Sequence, residues 1–210
     1  MTETSLNKYL SQLDNLNKIA KESSQRIIDG DTLFATHANV FVKSYLIMSC
    51  SVLEAYLKEE VLDYIQEVDC LLSELKLTKN LMAWGMFPKQ DELYKKLVGN
   101  EISNFSLGID ENEIDDRLSA NIDKTIKTFR RCGVNITDCP SFAANKAQIA
   151  SIVIKRNAAV HHNDEASDIS FLDIVDWIDK IQDYMKGISR FISTVRETNA
   201  DHLGKIKSSN

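Results

Sequence analysis

Proline and glycine are scarce, with 2 prolines and 7 glycines in 210 residues. Such a chain lacks the turn residues that an all-β fold with many tight connections needs, so long helices are expected. No long charge-free apolar run is present, so no membrane span and no membrane partner are expected. The opening Met1-Thr2-Glu3-Thr4-Ser5 has no basic stretch leading into an apolar one. No secretory leader is therefore expected, and a cytoplasmic location with reduced thiols follows. The four cysteines, Cys50, Cys70, Cys132 and Cys139, form no CxxC pair. Their spacing to His161 and His162 fits no common zinc site, so neither metal nor cofactor is expected. Basic residues are not in excess: 31 acidic against 25 basic residues give a formal charge of -6. A whole-surface electrostatic grip on nucleic acid is thereby disfavoured, which leaves only a local basic patch. What remains is 43% hydrophobic and 27% charged residues, the balance of a globular protein. The length suits one domain spanning 1–210 with a core that needs no disulfides.

Helical spacing organises most of the chain. Leu6, Leu10, Leu13, Leu16, Ala20 and Ile27 mark an amphipathic helix that ends near Gly30, with Asp31 or Thr32 capping the next element. Ala38 to Leu77 holds no Gly or Pro, and Leu46, Cys50, Leu53, Leu57, Val61, Tyr64 and Val68 keep the spacing. One long helix, with or without a break near Asp69, is the simplest reading. Residues 78–110 read as an irregular excursion. Trp84-Gly85-Met86-Phe87-Pro88 is expected to break any helix there, with one short helix around Glu92 to Val98. Met82, Trp84, Met86 and Phe87 either pack onto the core or form a docking surface, and core packing is the preferred reading.

Glu111 to Arg131 is expected as one helix with the stripe Ile114, Leu118, Ile122, Ile126 and Phe129, closed by Gly133. Ser141 is the expected cap of a helix from Phe142 to about His162, carrying Ile149, Ile152, Val153 and Val160. Asp168 or Ser170 caps the last helix. Its stripe from Phe171 through Ile174, Ile178, Ile181, Met185, Ile188 and Ile192 to Val195 alternates steps of three and four. The polar tail from about Thr198 is expected to fray. No alternating strand appears. The fold class is all-α, a bundle of about five or six helices.

Most catalytic signatures are absent: there is no GxxxxGK[ST], GxGxxG, HExxH or GxSxG. One string stands out, Lys155-Arg156-Asn157-Ala158-Ala159-Val160-His161-His162. On a helix Asn157 and His161 are four apart and share a face, with Arg156 about 140° from His161. A histidine can take or give a proton near neutral pH. A planar guanidinium can hold phosphate oxygens and stabilise their growing charge. Together they suit RNA cleavage by attack of a 2′-hydroxyl on the adjacent phosphate, without a metal. Two such helices meeting across a two-fold axis would place two arginines and two histidines round one cleft, and the small Ala158 and Ala159 would allow close approach.

The string Arg156-Asn157-Ala158-Ala159-Val160-His161 resembles the RNxxxH signature of HEPN-superfamily ribonucleases. The stretch Ser49-Cys50-Ser51-Val52-Leu53-Glu54-Ala55-Tyr56-Leu57 resembles an early helix of the RiboL-PSP type of HEPN domain, where a serine and a glutamate recur. The resemblance covers roughly Ala38 to Phe191. It implies a small all-α domain that dimerises into a composite, metal-independent endoribonuclease. Such proteins commonly serve as toxins or phage-defence effectors, with RNA as substrate and an antitoxin or defence-system protein as partner. It also implies catalytic roles for Arg156 and His161, support from Asn157, and Glu54 and His162 as site neighbours. One subgroup carries a tyrosine two residues after the histidine, where its antitoxin modifies it. Asn163 stands there in this chain. Glu54 has a second reading, a surface charge paired with Lys58 at i+4. Lys155, Lys124, Lys127 and Arg131 are candidate RNA-phosphate contacts, the alternative being a charged solvent face on a helix that also carries Asp115, Asp116 and Asp123.

Overall fold

The computed structural model describes residues 3–74, 77–87, 89–98, 103–161 and 168–208. Among these, nine α-helices follow one another: α1 (Glu3–Ile28), α2 (Thr32–Thr36), α3 (Ala38–Glu74), α4 (Lys79–Met86), α5 (Asp91–Val98), α6 (Glu111–Arg117), α7 (Ile122–Arg131), α8 (Pro140–His161) and α9 (Phe171–Ser208). A short 3-10 turn, Ile136–Asp138, precedes α8. The described residues form no strand, only an isolated bridge between Thr78 and Asn104. The fold is all-α, and the helix count exceeds the five or six expected.

The four long helices build the core. α9 packs on α1, α3 and α8, and α3 also packs on α1 and α8. The apolar stripes meet there: Leu13, Leu16 and Ala20 of α1, Leu46, Leu53, Leu57 and Val61 of α3, Phe142, Ile149 and Ile152 of α8, and Ile174 to Ile192 of α9. Each Leu or Ile so buried contributes about 1.5–3 kcal/mol relative to exposure. On α8 the expected stripe slips by one residue at its end: Ala159 is buried and Val160 exposed.

The surplus helices arise where local capping beats the periodic pattern. The expected helix over 111–131 is two helices, because Leu118 turns extended and is buried with Ala120 at the break. Asn121 then caps α7 by accepting from Lys124 N at 3.1 Å. Thr128 Oγ1 donates to Arg117 O, and Thr125 Oγ1 to Ser119 O, both at 3.2 Å, so the interrupted carbonyls are satisfied. Within the excursion, α4 runs straight through Trp84-Gly85-Met86 and stops at Phe87, the residue before Pro88, where helical backbone is disfavoured. Leu81, Trp84 and Met86 are exposed, which reverses the preferred core placement of the last two. Met82 and Phe87 are half-buried and line a cleft of about 460 Å³ with Leu93 and Phe105. Asp69 ties the excursion to α3 by accepting from Leu107 N at 2.7 Å and Ser106 Oγ at 2.9 Å.

Gly30 and Gly133 end α1 and α7 with φ of +85° and +77°. In each case the next residue's amide reaches five residues back, Asp31 N to Arg26 O and Val134 N to Phe129 O, both at 2.9 Å. These are Schellman ends, which need a residue without a Cβ penalty. Ser141 does not cap α8. Pro140 is already the first helical residue, where its missing N–H costs nothing, and Ser141 Oγ donates instead to Asp183 O at 3.1 Å.

Ser170, not Asp168, caps α9. Its Oγ accepts from Asp173 N at 3.1 Å, and Asp173 Oδ2 accepts from Ser170 N at 2.8 Å. The Ser170 hydroxyl and amide hold the Asp173 carboxyl below its ordinary value. A depressed carboxylate stabilises the fold above its unfolded pKa, and that contribution fades as pH falls through the folded value. Ser170→Ala is therefore expected to cost about 1 kcal/mol at neutral pH. In urea melts the gap from wild type should shrink once Asp173 is protonated. An equal gap at both pH values would remove the box from the account.

α9 continues to Ser208, past the Thr198 at which fraying is expected. Arg196 reaches α3, pairing with buried Glu60 at 3.4 Å and with Glu67 at 3.0 Å, and Asn199 Nδ2 donates to Tyr64 Oη at 3.1 Å. Burial raises the Glu60 pKa, against the pull of Arg196. α3 contains an 18-residue window of mean hydropathy 1.4, long and apolar enough to cross a membrane, with 44% of the window buried inside the fold. A core helix meets the same length and composition, and α3 packs on α1, α8 and α9.

Candidate functional site

Two helices of the core bring three of the singled-out residues together, Glu54, Arg156 and Asn157. α3 carries Cys50, Glu54 and Lys58 at four-residue steps, so they share one face. α8 packs against α3 and presents Arg156 and Asn157 to it. Arg156 Nη2 donates to Glu54 Oε2 at 3.2 Å, and Nη1 donates to Asn157 Oδ1 at 3.0 Å. The guanidinium is thus held from two sides. Its Nε is buried without a hydrogen-bond acceptor among the described residues.

Glu54 is shared. Its second oxygen, Oε1, lies 3.3 Å from Lys58 Nζ, so the i+4 pair and the site-neighbour reading both describe it. Lys58 is shared in turn, with Asp115 Oδ1 of α6 at 2.8 Å. Asp115 chiefly raises the Lys58 pKa, with Glu54 adding to it against burial. Beneath the cluster the Cys50 thiol is pushed up to about 11 by burial, although the Arg156 charge pulls the other way. Cys50 is therefore a neutral thiol packed under the guanidinium. Ser49 beside it is buried and donates to Leu46 O of its own helix at 2.9 Å.

The remaining predicted residues are placed as follows. His161 is the last residue of α8, and its side chain and the whole of His162 and Asn163 lie outside the described residues. Lys155 points away from Arg156 and pairs with Asp168 just ahead of α9. Lys124, Lys127 and Arg131 are exposed on α7. Arg131 also lines a cavity of about 200 Å³ with Tyr64, Val68, Ile114 and Cys132. Among the described residues no three His, Cys, Asp or Glu side chains come together as a metal would need.

Asp115 is the site residue that sequence reasoning missed, and Lys58 entered only as the surface partner of Glu54. The i+4 spacing marks Lys58 as a partner of Glu54. Asp115 carries no such signal, because it reaches α3 only through the loop that folds α6 back onto it.

Chemically, the cluster offers a guanidinium with two N–H donors aimed at groups that a bound anion could replace or join. A phosphate oxygen can take the place of the Glu54 carboxylate on Nη2. Glu54 then keeps Lys58 as a counter-charge, so the exchange does not strand a half-buried anion.

A family model described as RiboL-PSP-HEPN matches residues 4–194 of the chain. No curated protein and no solved structure matches it.

Proposed function

The chain belongs to the RiboL-PSP-HEPN family, and from that premise we propose that it is a metal-independent endoribonuclease. The observation that carries the reading is Arg156 in its RNxxxH string, fixed by Asn157 and by Glu54 of the neighbouring core helix. A guanidinium held in place is preorganised to receive a phosphate and the charge that develops on it. In this reading His161 removes the proton from the 2′-hydroxyl as it attacks phosphorus, and the 5′-oxygen leaves with a proton from a second acid. The products are a 2′,3′-cyclic phosphate and a 5′-hydroxyl. Two copies of the chain supply the two histidines, one from each α8, so the working unit is a homodimer. Toxin or phage-defence duty in the cytoplasm, under control of a cognate inhibitor protein, is the setting that this activity fits.

The test is incubation of purified protein with end-labelled RNA in excess EDTA, beside His161→Ala. Cleavage by wild type alone, with cyclic phosphate ends, is the expected result. RNA left whole by both proteins would sink the nuclease. A second reading, a non-catalytic binding or adaptor module, is favoured by one observation: Leu81, Trp84 and Met86 stand exposed on α4. Protein that binds RNA or a partner yet never cleaves would support it.

A further inference from the structure

We propose that Lys58 and Asp115 are positioning residues that set how freely Arg156 can leave Glu54 for an incoming phosphate. The proposal rests on the nuclease reading only for what the phosphate belongs to. The ion-pair chain itself is Arg156–Glu54–Lys58–Asp115, with N···O separations of 3.2, 3.3 and 2.8 Å. Arg156, Glu54 and Lys58 are only 22–26% exposed, while Asp115 is 51% exposed. The inner three are screened less by solvent than a surface pair would be.

The two middle members each have two claims on them. Glu54 divides one carboxylate between Arg156 and Lys58. Lys58 divides one ammonium between Glu54 and Asp115, and its shorter contact is to Asp115. The signs follow from electrostatics alone. If Lys58 loses its charge, Glu54 has only Arg156, holds it harder, and competes better with phosphate. If Asp115 loses its charge, Lys58 turns wholly to Glu54, and Arg156 loosens. If Glu54 loses its charge, Arg156 is released, and the other two residues no longer have a route to it. Asp115 lies on α6, the helix that follows the 78–110 excursion and packs on α3.

A direct field effect predicts the same signs for the single variants. Removing a nearby positive charge weakens anion binding, and removing a negative one strengthens it. The two accounts part in the Glu54→Gln background. A field acts there unchanged, whereas a relay through Glu54 is cut.

The experiment measures the rate at which phenylglyoxal modifies Arg156, followed by peptide mass spectrometry on the full chain. It needs no RNA. Glu54→Gln should speed modification about two- to five-fold, the span that the coupling of a partly exposed ion pair allows. Asp115→Asn should speed it less, and Lys58→Met and Lys58→Gln should slow it. Neither Lys58 nor Asp115 substitution should change the rate further once Gln stands at 54. Equal shifts in both backgrounds, or no shift from any folded variant, would overturn the relay. Circular dichroism of each variant checks the fold, and two substitutions at Lys58 guard against one that fails to fold. A parallel RNA assay should show the same pattern in KM, with kcat little moved. Wild type that cleaves no RNA would defeat the nuclease reading and leave the Arg156 rates to judge the relay.

Discussion

Arg156→Ala is expected to lower RNA cleavage by about 10²–10³-fold, the usual loss when one preorganised donor to a developing oxyanion is removed. The fall should appear in kcat as well as KM, because the guanidinium meets more charge in the transition state than in the ground state. Arg156→Lys should recover little of it. Lysine keeps the charge but offers no planar pair of donors, and here two donors are engaged on different acceptors, Glu54 and Asn157. The fold should survive both changes. With Arg156 gone, Glu54 still has Lys58, so no buried charge is stranded, and the Cys50 thiol beneath is neutral. Far-ultraviolet circular dichroism and the melting temperature serve as the control. Full activity in Arg156→Ala would separate the RNxxxH string from the chemistry, and Arg156 would then be a structural tie between α3 and α8.

The sequence carried the core better than its edges, for a physical reason. The stripes of α3 and α9 repeat over many turns, and burial of Leu53, Ile178 or Ile188 is worth more than any cap. Periodicity over such lengths leaves few alternatives. The break between α6 and α7 turns instead on two threonine hydroxyls and one asparagine, which satisfy a handful of backbone groups. Such local competition is worth about 1 kcal/mol per group and leaves no periodic trace. Trp84 went the other way: core packing was the preferred reading, yet it stands exposed on the short helix α4. At the site, Arg156, Asn157 and Glu54 were legible because a short string and an i+4 pair mark them. Asp115 was not, because nothing along the chain records that α6 folds back over Lys58.

The second large effect belongs to Gly187, a residue with no part in the chemistry. It lies in the middle of α9, where glycine normally weakens a helix and alanine would be worth about 1 kcal/mol more. Here α8 passes too close for that gain. A Cβ at 187 would sit 2.0 Å from Ser141 Cβ and 2.2 Å from its Oγ. A serine Cβ is fixed to its backbone and cannot swing aside, so the first turn of α8 must lift away from α9. The lift would stretch Ser141 Oγ to Asp183 O and Cys139 Sγ to Gly187 O, now 3.1 and 3.6 Å. Overpacking of this kind costs about 1–3 kcal/mol even after the helix gain, and occasionally more. For a chain of this size, that is a fall in Tm of about 2–10 °C. The partner substitutions decide the cause. Ser141→Gly should restore much of the lost stability of Gly187→Ala, because it removes the Cβ that is struck. Ser141→Ala should not, because it keeps that carbon and discards only the hydroxyl. A Gly187→Ala protein that melts above wild type would mean that the helix gain is unopposed and that the two helices do not touch there.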